Sequence, residues 1–121
     1  MILQAGFPVE THQVVTRDGY ILSLHRIPVY GPRSGGQAQV PVFLMHGLLS
    51  SSADWVVTGP DHGLAFQLSE AGYDVWMGNF RGNTYSKTHM RPDISKQEYW
   101  VSEVIISTCI LMLLCSDLHM G

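Results

Sequence analysis

The feature that most constrains this chain is a succession of patterns. A continuous apolar run, Val40 to Met45, stops abruptly at His46-Gly47 and is followed by a helical pattern and then a second strand pattern at Tyr73 to Met77. A short apolar run without alternation suits a strand buried on both faces. Pro60-Asp61 predicts the helix start, because proline fits a first turn and aspartate complements the positive helix end. Leu64, Ala65, Leu68 and Ala71 then share one face, and Gly72 predicts a left-handed stop. Strand, helix and strand make a βαβ crossover with parallel strands, so the two following loops, Leu48 to Gly59 and Gly78 to Ser86, leave the same end of the sheet. Open α/β sheets carry their chemistry at that end. Upstream, His12 to Ile27 reads as a β-hairpin around Arg17-Asp18-Gly19, where Asp-Gly supplies the positive φ of a tight turn. Pro28 to Gln39, rich in Gly, Pro and polar residues, reads as a surface loop.

At 121 residues the chain has room for one domain. With 45% hydrophobic and 14% charged residues it is globular rather than disordered. A formal charge of −3, with no basic stripe interleaved with aromatics, argues against nucleic acid as a partner. The two cysteines, Cys109 and Cys115, make neither a disulfide framework nor a zinc set, and the six histidines lack metal-ligand spacing. No metal or cofactor is expected. Met1 to Glu10 has no cationic start leading into an apolar stretch, so the chain as written carries no signal peptide and is expected to be cytoplasmic if expressed as is. The longest apolar run, Val104 to Cys115, is well short of the ~20 residues of a bilayer-spanning helix, and no transmembrane segment is expected.

A serine elbow, G-x-S-x-G, needs glycines on both sides of the nucleophile so that a strained turn can expose the hydroxyl. No serine here has them; Ser50, Ser51 and Ser52 read as loop hydrogen-bonding residues. Phosphate-loop and dinucleotide fingerprints are absent as well. His46-Gly47-Leu48-Leu49 says more: a glycine directly after a buried strand lets the backbone turn and present N–H groups that can stabilise an oxyanion. The plain alternative is a strand-ending turn with His46 packed or hydrogen-bonded. Asp54-Trp55 reads as an Asp-capped turn with a tryptophan anchor, and Arg81 as a structural arginine bonding loop carbonyls.

Taken together, GFPVETHQVVTRDGYILSLHRIP, PVFLMHGLLSSSADWV, GLAFQLSEAGYDVWMGNFRGNTYS and KQEYW resemble the acid lipase family of gastric, lysosomal and insect digestive lipases, over about Ile2 to Trp100. The resemblance implies an α/β-hydrolase fold, present here as the hairpin and the first βαβ unit. It also implies hydrolysis of fatty-acid esters, triacylglycerol or cholesteryl ester, through a Ser-Asp-His triad, in secreted or lysosomal enzymes. On the matching HGLL block, Leu48 would supply one backbone N–H of the oxyanion hole. The family's elbow, Asp, His and cap lie beyond the matching stretch, so the chain itself is expected to be inactive. Residues 101–121 shift in character, and Val101-Ser102 is compatible with the codons of an intron donor; this apolar tail is expected to be intron-derived or an alternative exon. With part of a sheet bare, self-association or aggregation is expected. The alternative is a catalytically dead short product that binds lipid or a full-length relative, or a pseudogene product.

Overall fold

The computed structural model describes residues 1–29, 39–47 and 50–100. Among them a mixed sheet runs in the order β1 (Glu10–Val15), β2 (Tyr20–Ile27), β4 (Asp74–Gly78), β3 (Pro41–Met45), with the short β5 (Thr88–His89) also paired to β2. Two helices, α1 (Leu64–Glu70) and α2 (Lys96–Trp100), and two 3-10 turns, Leu3–Ala5 and Ser52–Trp55, complete it. This is the partial α/β-hydrolase architecture that the family resemblance implies.

The hairpin forms as predicted and starts two residues earlier. Glu10 pairs with Arg26 and Val15 with Ile21. Its turn is a three-residue connection closed by the Gly19 N–H to the Thr16 carbonyl at 3.0 Å and the Thr16 N–H to the Tyr20 carbonyl at 2.9 Å. Gly19 carries the positive φ of 91° that such a turn requires. The crossover also forms: β3 and β4 are parallel, Pro41 opposite Asp74 and Met45 opposite Gly78. β2 joins them antiparallel, His25 opposite Met77.

Two expectations are corrected. The helix starts at Leu64, not at Pro60. Gly59, at φ 83°, accepts the N–H groups of His62 and Gly63 on its carbonyl, and Gly63 is extended at φ −68° and ψ 121°, so Pro60 to His62 form a turn of their own. Gly63 has no room for a side chain, since a Cβ would meet Phe66 at 2.8 Å and the Gly59 carbonyl at 2.9 Å. The buried face of α1 is consequently Ala65, Phe66 and Ser69 with Leu68 half-buried, while Leu64 and Ala71 face outward. Gly72 does end the helix, at φ 98°, with its N–H on the Ser69 carbonyl and the Tyr73 N–H on that of Leu68. The second correction concerns β3, which is half-buried along its length. Its place at the sheet edge, with β4 as its one neighbour among the described residues, leaves one side unpaired.

Two apolar layers hold the sheet. On one face Ile27, Val75 and Met77 meet Phe7, Val56, Ala65 and Phe66, with the Phe7 and Phe66 rings 4.7 Å apart. On the other, Leu24 and Trp76 gather Val14, Phe43, Met45 and Phe80. Arg26 ties three strands together: its Nε and Nη2 donate to the two Asp74 carboxylate oxygens at 2.8 and 3.1 Å, and its Nη1 donates to Glu10 at 3.0 Å. No helix of the described residues is long and apolar enough to cross a membrane. The expected surface loop lies mostly, and the apolar tail wholly, outside the described residues.

Candidate functional site

Because β3 and β4 are parallel, the residues that follow them, His46 and Asn79, come out side by side, and both are buried. The His46 ring bridges the two loops. Its Nε2 is 3.1 Å from the main-chain N–H of Phe80 and 3.1 Å from Asn83 Nδ2. Both of those groups only donate, so Nε2 accepts and the ring proton resides on Nδ1, which donates to the Gly47 carbonyl at 2.7 Å. Phe80 also sets its ring edge-on to the imidazole, with centroids 5.1 Å apart. A Cβ on Gly47 would meet nothing within 4 Å, so crowding by the described residues does not select that glycine. Leu48 lies outside the described residues.

Behind His46 lies a polar network that the sequence reading missed. Asn79 Oδ1 accepts the Ser52 N–H at 3.0 Å and Asn83 Nδ2 at 2.8 Å. Its Nδ2 donates to the Ser23 carbonyl at 3.0 Å and to Ser52 Oγ at 3.1 Å. Asn83 Oδ1 in turn takes the N–H groups of Tyr85 and Ser86 at 2.9 and 3.0 Å. Main-chain partners thus fix which way each carboxamide points. Ser86 Oγ accepts the Ser23 N–H at 2.9 Å and donates to the Asn79 carbonyl at 3.2 Å, which fastens the second loop to β2. Ser52 Oγ, already receiving Asn79, lies 2.9 Å from His25 Nδ1. Burial lowers the pKa of His25 below the usual histidine value, favouring the neutral ring. The legible signal was the repeat of Gly-Asn at 78–79 and 82–83, which puts two carboxamides four residues apart in one loop.

The three serines do serve as loop hydrogen-bonding residues. Ser52 sits in the network, Ser51 caps the 3-10 turn by accepting the Ala53 N–H at 3.3 Å, and Ser50 donates to the Asp54 carboxylate. Asp54 is therefore not the cap; it is held by Ser50, and capping falls to Ser51, which precedes the turn. Trp55 is a half-buried anchor on the core, as expected. Arg81 differs from expectation. It donates to the Asp18 carboxylate at 2.8 Å and lies 4.4 Å over the Tyr20 ring, because the hairpin turn brings a charged partner within reach that loop carbonyls do not match. Among the described residues no group of three His, Cys, Asp or Glu side chains converges as a metal site would require.

Comparison with known proteins places this geometry. Residues 1–59 match the partial alpha/beta-hydrolase lipase region, and residues 40–113 match the alpha/beta hydrolase fold. Lipase 3 of Drosophila melanogaster is 64% identical over 85 residues, 69% of this chain and 21% of that protein. Human gastric triacylglycerol lipase is 48% identical over 101 residues, 83% of this chain and 25% of that protein. A putative lysosomal acid lipase/cholesteryl ester hydrolase of Crotalus adamanteus is 47% identical over 103 residues, 84% of this chain and 26% of that protein. The chain thus spans about a quarter of the length of these relatives. It belongs to the α/β-hydrolase fold family, within the acid lipases that include the gastric and lysosomal enzymes.

Proposed function

We propose that these residues build the oxyanion-stabilising side of a lipid ester hydrolase acting on triacylglycerol or cholesteryl ester, and that the 121-residue chain alone hydrolyses no ester. The supporting observation is the bond from His46 Nδ1 to the Gly47 carbonyl. In a planar trans peptide the following N–H belongs to the same rigid unit as that carbonyl and points the opposite way. We take this hold on the Gly47 carbonyl to be what positions the N–H of Leu48, the donor that the family resemblance assigns to the tetrahedral intermediate. His46 is a positioning residue in this reading, and Asn83 and the Phe80 amide keep its ring in the required tautomer.

A donor without a nucleophile does not turn over ester, and the sequence holds no G-x-S-x-G elbow. Removing a serine nucleophile costs on the order of a millionfold in kcat in the subtilisin case, far more than the roughly hundredfold or greater cost of losing one oxyanion donor. We propose further that residues 1–100 are the hydrolase part and that 101–121 are a divergent tail of intronic or alternative-exon origin, although the alpha/beta hydrolase fold match runs on to residue 113. The names of its gastric and lysosomal relatives support a secreted or lysosomal setting.

The test has two arms. The purified 121-residue chain is assayed with a p-nitrophenyl ester, and in parallel its matched residues replace the corresponding stretch of Drosophila Lipase 3. The expected results are no turnover above background for the chain and ester hydrolysis by the chimera. Serine-dependent turnover by the chain, or a folded but inactive chimera, overturns the proposal.

A further inference from the structure

A cavity of ≈ 260 Å³ opens beside His25, on the side of the sheet that carries Val56 and Met77, and nothing in the hydrolase reading uses it. Its walls are mainly apolar, from Ile2, Val9, Val56 and Met77, and Tyr85 and His25 also line it. The surroundings of His25 have a definite chemistry. Ser52 Oγ receives Asn79 Nδ2 at 3.1 Å and lies 2.9 Å from His25 Nδ1, and an N–H on Nδ1 would be set against the Asn79 amide, which only donates, so Nδ1 takes the acceptor role and the Ser52 hydroxyl is its donor. Asn79 Nδ2 also faces His25 Nδ1 at 3.5 Å. With Nδ1 committed as an acceptor, the neutral ring carries its proton on Nε2. The Tyr85 ring stands edge-on to the imidazole, with centroids 5.0 Å apart.

The polar side chains of the lining are His25, Tyr85 and the hydroxyls of Thr11 and Ser52, the last already engaged with Asn79 and His25, and the rest is apolar, which suits a ligand with one acceptor on an apolar body. An engineered apolar cavity of about 150 Å³ holds benzene, so this one accommodates a body of roughly ten carbon atoms. We infer that the cavity beside His25 binds one small uncharged molecule with an apolar body of that size and a single carbonyl oxygen, which accepts the Nε2 proton of His25. A cationic head is disfavoured, having only donors to offer another donor, and an anion must leave its hydration shell to face a neutral ring. Burial lowers the pKa of His25, which keeps the imidazole in the neutral form that this recognition needs. The inference stands apart from the hydrolase proposal, because it requires neither Leu48 nor a triad.

The probes are butyrophenone and butylbenzene, which differ by one carbonyl, added to the 121-residue chain. The expected result is saturable one-to-one binding of butyrophenone, with a shift of the His25 ring signals in NMR and a lowered carbonyl stretch in the infrared spectrum of the bound ketone. His25→Phe keeps an aromatic ring without the donor. It weakens butyrophenone at least fivefold and leaves butylbenzene within twofold. Ala53→Phe, which fills the cavity from its wall, abolishes both. Absence of saturable ketone binding to the folded wild-type chain overturns the inference. So does binding with no change in either the His25 signals or the carbonyl stretch, and these wild-type readouts decide the matter even where His25→Phe does not fold.

Discussion

His46, one residue beyond β3, accepts on Nε2 the main-chain N–H of Phe80, two residues beyond β4, at 3.1 Å. A side chain at the end of one parallel strand thereby locks the loop of its neighbour, and its other nitrogen holds the Gly47 carbonyl. The first prediction follows for the Lipase 3 chimera. His46→Ala releases the peptide that carries the proposed oxyanion donor, so kcat falls between tenfold and a hundredfold while KM changes less than threefold, in keeping with an interaction made mainly in the transition state. Steady-state kinetics check this. A loss confined to KM contradicts the positioning role.

Asn79 is fully buried, and both ends of its carboxamide are engaged by main-chain groups of Ser52 and Ser23. Asn79→Ala leaves a buried N–H and a buried carbonyl without partners. The expected cost is about 3 kcal/mol of folding stability, read from urea unfolding, because each orphaned buried group costs about 1 to 3 kcal/mol. A change within experimental scatter of zero would show that the network is not closed as described.

Acid sensitivity is set in part by His25. Its pKa in the folded chain is lowered by burial from the ordinary 6.5, so between the two values the unfolded chain binds more protons. The corresponding stability is fully present above about pH 6.5 and is lost as the pH falls below it. Unfolding midpoints between pH 7.5 and 5 therefore decline in the wild type and decline less in His25→Gln. Equal slopes for the two proteins refute the assignment.

Arg26 predicts a smaller effect. Its fork on Asp74 and its bond to Glu10 join β1, β2 and β4, and the guanidinium lies 5.1 Å from the Trp76 ring centre. The raised pKa of Arg26 has its largest cause in the Asp74 hydrogen bond. Because these groups are partly exposed, Arg26→Lys, which keeps the charge and loses the fork, costs about 1 kcal/mol in urea unfolding.

How much of this was legible in the sequence depends on how local the signal is. The hairpin and the parallel β3–β4 pair follow from periodicity and glycine placement, which neighbouring residues determine, and the structure reproduces both. The start of α1 was misread because Pro60-Asp61 is a valid helix opening, whereas Gly63, pressed between Phe66 and the Gly59 carbonyl, moves it to Leu64. Of the Asn79 network only the repeated Gly-Asn pair was legible, not its bonds. Asn79 and Ser23 are far apart in sequence, and only the antiparallel register of β2 on β4 brings them to hydrogen-bonding distance. His46 was legible as a residue of interest, but its tautomer needed the positions of Phe80 and Asn83.

The central claim concerns the N–H of Leu48, and proline substitution tests it most directly, since proline lacks that group. In the Lipase 3 chimera, Leu48→Ala keeps the amide and Leu48→Pro removes it. The account predicts that the alanine variant stays within threefold of the parent, whereas the proline variant, shown to be folded by circular dichroism, loses a hundredfold or more in kcat. A proline variant as active as the alanine variant would contradict it.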